Sequence, residues 1–161
     1  LFSYKRFRKN SFKSMEYSRM YFKTYEFHCF CLYGSNGTSS KKYSIKKNTK
    51  LLKIRAIELQ HGMIKANGFV FNKVAYLSDC NKISKKSFNQ LKNLNYLIID
   101  CLRKNPHPSH FHFEETIRIA KKQKKKKTIL TNLHVDLDYQ SLKKKLPKNI
   151  VPAYDGMSFN F

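Results

Sequence analysis

Apolar and polar positions follow a regular order from Leu51 to the end of the chain. Residues 51–60 alternate in character, as expected of a strand with one buried face. Residues 95–102 form the short apolar run of a strand buried on both faces, and residues 84–94 repeat apolar side chains at helical spacing behind Ser84, a residue suited to an N-cap. The pattern predicts strands over 51–60, 68–71, 74–79, 95–102, 127–132, 150–154 and 157–161, and helices over 84–94, 113–127 and 138–146.

The order of these elements indicates the fold class. Residues 68–71 and 74–79 predict a hairpin that turns at Asn72 and Lys73. The helix over 113–127 has acidic residues in its first turn and lysines in its last, as the helix dipole favours. Because strands and helices then alternate along the chain, we expect an α/β domain in which helices flank a mixed sheet.

The first 50 residues follow no comparable pattern. Residues 1–33 are rich in aromatic and basic side chains and show no period of two or 3.6. Such a mixture can stack nucleic-acid bases, but a helix or irregular cover packed on a sheet is the preferred interpretation. Residues 34–50 are polar, contain Gly and Ser, and predict a loop. We therefore divide the chain into a segment over 1–50 and an ordered domain over 51–161.

The charge is strongly positive, with a formal net value of +23 from 33 Lys and Arg against 10 Asp and Glu. The basic residues are spread along the whole chain and form no single arm. We interpret them as a solvated surface that attracts anions non-specifically and steers a small phosphorylated substrate toward the protein. A nucleic-acid partner is the less favoured alternative, and a homodimer stays open.

Composition also limits the compartment. The chain has no apolar run of about 18 residues, so we expect no membrane span. Its four cysteines form no C-x-x-C pair and no disulfide framework. A reducing, cytoplasmic environment fits this cysteine usage best.

Candidate chemistry lies where predicted strands end. A strand delivers a side chain rigidly to the edge of a sheet, where several such side chains can converge on one metal ion or phosphate. The histidines and aspartates in question are His61, Asp79, Asp100, His107, His110, His112 and His134.

The sequence motifs around these residues resemble those of a known family. HGMIKANGF, VAYLSDCN, LIIDCLRKNPHPSHFHFEETIRIA, TILTNLHVDLDYQSL and PAYDGM, in this order, resemble the C-terminal half of a metallo-β-lactamase-fold hydrolase. The phosphoribosyl cyclic phosphodiesterases of phosphonate breakdown are the most similar group, and the tRNA 3′-processing nucleases are more distant. The resemblance implies part of an αββα sandwich with two divalent metal ions, zinc or manganese, at the sheet edge.

By motif, the resemblance implies a role for several residues. His61 would bind one metal, and Asp79 would bridge both. His110 would act as general acid or contact the phosphate, and the flanking His107 and His112 would contact substrate. Read without the family, His61 is a capping residue beside a glycine, Asp79 forms a turn, and the H-P-x-H-x-H run is a local metal cluster.

Two departures from the family pattern affect the metal site. Asn132 stands where the family has its last metal-binding histidine. Because residues i and i+2 of an extended chain face the same side, we expect His134 to replace that histidine as a ligand. The H-x-H-x-D-H element, which supplies most ligands of both metals, is absent from the 161 residues.

These departures lead to three hypotheses. We expect a partial chain of a metal-dependent phosphodiesterase that acts on a cyclic ribose phosphate-like substrate and is inactive alone. A degenerate, metal-free binding module is the first alternative. A basic RNA-binding protein with structural histidines is the second.

Overall fold

The computed structural model describes residues 19–21, 42–47 and 50–160. Most of the aromatic and basic segment 1–33, and the cover predicted there, lie outside the described residues. The strands are β1 (Arg19–Tyr21), β2 (Lys42–Lys47), β3 (Lys50–His61), β4 (Ile64–Phe71), β5 (Val74–Leu77), β6 (Lys82–Ile83), β7 (Tyr96–Asp100), β8 (Lys127–Thr131), β9 (Ile150–Pro152) and β10 (Ser158–Asn160). The helices are α1 (Lys85–Asn89), α2 (Phe113–Gln123) and α3 (Tyr139–Lys145).

A mixed sheet organises the domain, as the sequence predicts. Its strand order is β2-β3-β4-β5-β7-β8-β9, with β6 paired to β3. Strands β2 to β5 are antiparallel to their neighbours, whereas β5, β7, β8 and β9 run parallel. The carboxyl ends of β5, β7 and β8 therefore meet at one edge, which we call the site rim.

Each face of the sheet covers its own apolar core. Leu97 and Ile99 of β7 pack on the face that also receives Leu91, Ala120 and Leu142 from the helices or their ends. Ile98 lies between them in sequence and packs on the opposite face, in a cluster closed by Met157 and the partly buried Phe159. The nearly unbroken apolar run of β7 is explained by this two-sided burial.

Capping residues set where the helices begin and end. The Ser84 hydroxyl accepts a hydrogen bond of 3.0 Å from the Ser87 amide and starts α1. Helix α1 ends at Asn89, earlier than the predicted 94, and shorter-range bonds such as Leu91 N to Phe88 O at 3.2 Å continue the turn. Helix α2 ends at Gln123, before the predicted 127, and its C-cap residue Lys124 has a left-handed φ of 46°.

The polar segment over 34–50 is not entirely a loop. Residues 42–47 form β2, which pairs antiparallel with β3 from Lys42 opposite Arg55 to Lys47 opposite Lys50. Pairing with a neighbouring strand overrides the weak local propensity of this sequence.

The two cysteines in the described region are turned into the core. Cys80 and Cys101 are both fully buried. Burial raises the pKa of the Cys101 thiol to about 12, so this thiol stays protonated at neutral pH. Within the described ranges, no helix has the length and apolar character needed to cross a membrane.

Gly68 provides the first test of the packing. A Cβ atom built there would lie 2.6 Å from Leu77 Cδ2 and 3.0 Å from Leu59 Cδ1. We expect Gly68→Ala to lower the free energy of unfolding by about 1–3 kcal/mol through overpacking. Urea unfolding measures this, with Asn67→Ala as the neighbouring control, expected to stay within about 0.5 kcal/mol. Equal stability of the two variants would contradict the packing described here.

Candidate active site

Three parallel strands bring polar residues to the site rim. Asp79 follows β5, Asp100 is the last residue of β7, and Asn132 comes directly after β8. The loop after β7 returns to the same rim and places His110 beside them. One ligand atom each from Asp79, Asp100 and His110 lies within 4.8 Å of the others.

Asp100 is the residue on which this cluster is built. Its side chain is completely buried, and its Oδ2 accepts hydrogen bonds from the Cys80 amide at 2.9 Å and from His110 Nδ1 at 2.6 Å. A buried carboxylate needs such donors to offset its desolvation. Because His110 donates from Nδ1, its Nε2 is the nitrogen left for other chemistry.

The environment of His110 changes its proton affinity. Burial lowers the pKa of His110, but the hydrogen bond to Asp100 and the negative charges of Asp100 and Asp79 outweigh burial and raise the pKa above its ordinary value. Asp79 Oδ1 is 4.0 Å from His110 Nδ1. Both carboxylates therefore favour a protonated His110.

His61 lies against His110 and has a defined tautomer. The two rings meet edge to face, with centroids 4.6 Å apart. His61 Nδ1 is 2.8 Å from the carbonyl oxygen of Ser109, and a carbonyl accepts only from a protonated nitrogen. A His61 that donates from Nδ1 presents the lone pair of Nε2, the arrangement common among metal-binding histidines.

Asn81 joins the β3–β4 hairpin, which contains His61, to the loop over residues 101–112, which we call the histidine loop. Its Oδ1 accepts from the Gly62 amide at 3.0 Å, and its Nδ2 donates to the Pro108 carbonyl at 2.7 Å. Gly62 has a φ of 60°, and a Cβ there would lie 3.1 Å from Ser109 Cβ. The close approach of the two loops thus requires glycine at this position.

Asn132 occupies the centre of the cluster. Its Nδ2 lies 3.4 Å from Asp79 Oδ1, 3.2 Å from Asp100 Oδ1 and 3.3 Å from His110 Nδ1. Asn132 and Asp79 both have left-handed backbones, with φ of 64° and 50°. Asn and Asp tolerate this conformation better than most residues, and strain of this kind is concentrated at functional sites.

His107 also borders the site. Its ring centroid is 5.1 Å from that of His110, and its Nδ1 lies 3.3 Å from the Ser109 amide, which donates. Burial, followed by the positive charges of His110 and Arg103, lowers the pKa of His107 and favours the neutral ring. With Nδ1 accepting, Nε2 carries the proton and can donate to an anion.

His112 lies at the start of helix α2. It is the N-cap of α2, and its Nδ1 donates to Glu115 Oε2 at 2.8 Å. Its carbonyl accepts from the Thr116 amide at 3.0 Å. These contacts explain the residue structurally, and the substrate contact expected of His112 stays a prediction.

His134 is not brought into the cluster. Its Nδ1 lies 3.1 Å from Asp136 Oδ1, and its side chain is 56% exposed. The expectation that positions 132 and 134 face the same side assumed an extended chain, and the positive φ of Asn132 breaks that geometry. The metal-ligand role of His134 therefore gains no support from its contacts and stays a prediction.

Sequence reasoning placed Asp100 among the strand-end candidates without assigning it a specific role, and it treated Asn132 only as a departure from the family's last metal-binding histidine. The available signal for Asp100 was its place at the end of the most strongly apolar strand, where a carboxylate is costly unless it is used. No local pattern could show that Asn132 contacts three other residues. Those contacts depend on strand pairing between segments distant in sequence.

Comparison with known proteins identifies the family and the fold. A family model for the beta-lactamase superfamily domain matches residues 33–132. Among solved structures, a diphosphatase from the PhnP family superimposes with a TM-score of 0.68 at 32% sequence identity, covering 73% of this chain and 46% of that protein.

Other matches are more distant. The metallo-beta-lactamase-fold protein YhfI from Bacillus subtilis has a TM-score of 0.55 at 16% identity, covering 74% of this chain and 53% of YhfI. Zn²⁺-bound PqqB from Methylobacterium extorquens has a TM-score of 0.50 at 8% identity, again covering 74% of this chain and 53% of PqqB. These two support the fold alone.

One curated relative is an octanoyltransferase from Porphyromonas gingivalis (strain ATCC BAA-308 / W83). It is 28% identical over 109 residues, which cover 66% of this chain and 22% of that protein. The chain thus spans about half the length of the solved structures and less of this relative.

The Asp100–His110 pair predicts a pH dependence of stability. Because folding raises the pKa of His110 above the ordinary 6.5, the contribution of His110 to the free energy of unfolding is fully present below that value. This contribution is lost as pH rises through the raised pKa of the folded state. We therefore expect the free energy of unfolding of the metal-free protein to fall above pH 6.5, and we expect no such fall in His110→Gln. Urea unfolding with a chelator, from pH 5.5 to 8.5, measures it, with His134→Gln as control. A fall of the same size in His110→Gln would contradict the assignment.

Proposed function

Because this chain belongs to the beta-lactamase superfamily, a family of hydrolases that generally bind divalent metals, we propose that it carries part of the active site of a metal-dependent phosphodiesterase. The observation that supports this is the convergence of Asp79, Asp100 and His110 at the site rim, with ligand atoms within 4.8 Å of one another. Oxygen and imidazole donors at parallel strand ends are what a divalent cation requires.

The residues present fit a metal ion. The ligand atoms of Asp79, Asp100 and His110 lie within 4.8 Å of one another, somewhat wider than the about 4.4 Å that two bonds of about 2.2 Å to one ion allow, and Asp100 and His110 are hydrogen-bonded to each other. We assign metal binding to Asp79 and to Nε2 of His61, whose Nδ1 is held by the Ser109 carbonyl. A divalent metal held there supplies positive charge against phosphate oxygens and lowers the pKa of a water molecule.

His110 is our candidate for proton transfer, with Asp100 as its positioning residue. Asp100 holds His110 Nδ1 at 2.6 Å, and its hydrogen bond and charge raise the pKa of the imidazole. In this role His110 delivers a proton from Nε2 to the leaving oxygen of the substrate. His107, which donates from Nε2, would contact a phosphate oxygen beside it.

We propose that further ligands come from outside the 161 residues. His61 and Asp79 are too few for a two-metal site, and the H-x-H-x-D-H element is absent from this sequence. The chain also spans only 46–53% of the solved relatives. We therefore propose that these residues act together with a segment that supplies the missing ligands for zinc or manganese.

The substrate class follows from charge and resemblance. The family of the phosphoribosyl cyclic phosphodiesterases, and the name of the diphosphatase matched at 32% identity, both concern phosphorylated substrates. The formal net charge of +23 attracts anions of this kind. We propose a small phosphodiester, similar to a cyclic ribose phosphate, and a cytoplasmic location.

Metal binding can be tested separately from catalysis. We expect Asp79→Asn and His61→Gln each to weaken Mn²⁺ or Zn²⁺ binding by at least about tenfold, because each removes a donor. Isothermal titration of the folded chain measures this. His134→Ala is the matched control, and we expect it to bind as the unaltered chain does. Loss of metal in His134→Ala alone would restore His134 as the ligand and overturn our assignment.

Catalysis has its own test. We expect the 161-residue chain to show no chelator-sensitive hydrolysis of a ribose cyclic phosphate, since most metal ligands are missing. In a longer protein that contains an H-x-H-x-D-H element, His110→Ala should lower the rate by about 10²–10⁴-fold, the usual contribution of general acid catalysis. Chelator-sensitive turnover by the short chain that survives in His110→Ala would contradict both statements.

A further inference from the structure

The edge of the sheet opposite the site rim is built from four connections that contact one another. They are the β4–β5 turn, the α1–β7 segment, the α2–β8 turn and the α3–β9 turn. Asn95 N donates to Lys73 O at 2.8 Å, Lys127 N donates to Asn95 O at 3.2 Å, and Thr128 N donates to Asn149 O at 2.7 Å. These bonds join the four connections into one continuous surface.

This surface carries a dense set of lysines, and we call it the lysine edge. One further lysine, Lys125, is buried, and its Nζ donates to the carbonyls of Leu91 and Lys92. That buried side chain fixes the α2–β8 turn against the α1–β7 segment. The lysines of the edge, exposed except for the partly exposed Lys127, are Lys73, Lys92, Lys121, Lys122, Lys124, Lys126, Lys127, Lys143, Lys144, Lys145 and Lys148.

Acidic residues of the described region lie elsewhere. Several follow the carboxyl ends of strands or lie in the first turn of a helix at the site rim. Glu58 lies on β3 near His61, and its Oε2 is 3.0 Å from Lys65 Nζ. These acids are Glu58, Asp79, Asp100, Glu114, Glu115, Asp136, Asp138 and Asp155. Among residues 53–160, therefore, none shields the lysine edge. Lysine-rich composition alone does not explain this separation, because it would leave acids on both edges.

We propose that the lysine edge binds the phosphate backbone of duplex nucleic acid. Neighbouring strands lie about 4.8 Å apart, so the connections at β5, β7, β8 and β9 span about 14 Å. A duplex carries one negative charge per about 1.7 Å of axis, and such a span faces several phosphates at once. Lysine ammonium groups contact phosphates as point charges and do not require a particular base sequence.

The positions of the exposed apolar side chains favour a duplex over a membrane surface or a single strand as the partner. The large apolar side chains that are exposed in the described region are Met63, Ile64, Val135 and Tyr154, and each lies toward the site rim. Peripheral membrane binding combines cations with inserted apolar side chains, and single-strand binding uses aromatic side chains that stack on bases. Among the described residues, the lysine edge carries no exposed large apolar side chain, whereas backbone contacts to a duplex need only charge.

The proposal is tested with two variants of the 161-residue chain that lose the same charge. The edge variant replaces Lys121, Lys126, Lys143 and Lys148 with Gln. The control variant replaces Lys65, Lys82, Lys85 and Lys104, which lie away from the edge, with Gln. Fluorescence anisotropy with a 5′-labelled duplex, as RNA and as DNA, measures affinity over a range of salt concentrations, and circular dichroism checks folding.

We expect the edge variant to lose at least about tenfold in duplex affinity and the control variant much less. The slope of log affinity against log salt should fall by about 0.9 for each lysine that contacts a phosphate. Equal losses in both variants would overturn the proposal, because binding would then follow net charge alone. Edge-dependent binding of phosphatidylserine vesicles or polyglutamate, as tight as that of the duplex, would overturn it as well.

Discussion

The buried carboxylate of Asp100 is the interaction on which the site depends. It stands at the end of a strand with apolar side chains on both faces, where an isolated charge is expensive. Its cost is offset by the Cys80 amide, His110 and Asn132, which come from three different segments. The Asp100 carbonyl also accepts from the Thr116 hydroxyl at 2.7 Å, so the same residue fixes the first turn of α2. Loss of this carboxylate would remove the bonds to the Cys80 amide, His110 and Asn132 together, whereas the bond from Thr116 to the main-chain carbonyl would remain.

Much of the fold was predictable because its signals are local. The alternation of β3, the hairpin at Asn72 and the apolar run of β7 each follow from residues adjacent in sequence. The site was only partly predictable. His61, Asp79 and His110 were found through strand ends and motif, but the contacts of Asn132 depend on the pairing of β5, β7 and β8. The expectation for His134 was based on an extended backbone that a single positive φ at Asn132 removes.

The histidine loop and the β3–β4 hairpin are joined by contacts within the chain. Asn81 bonds to both, Gly62 allows them to approach, and the Ser109 carbonyl orients His61. A site held in this way loses little conformational entropy when an ion or phosphate binds. The positive φ values at Asp79 and Asn132 are the part of this arrangement that the surrounding structure has to stabilise.

The placement of the two buried cysteines has a consequence for metal selectivity. Cys80 and Cys101 directly follow Asp79 and Asp100, yet both thiols point into the core, and that of Cys101 has a pKa of about 12. Both side chains pack in the core cluster, so an ion bound at the site rim would meet oxygen and nitrogen atoms among the described residues. Such donors would discriminate against copper(I), cadmium and other thiophilic ions that bind thiolates most strongly. The direction of the side chain after each aspartate would therefore keep these two sulfur atoms out of the coordination of such an ion.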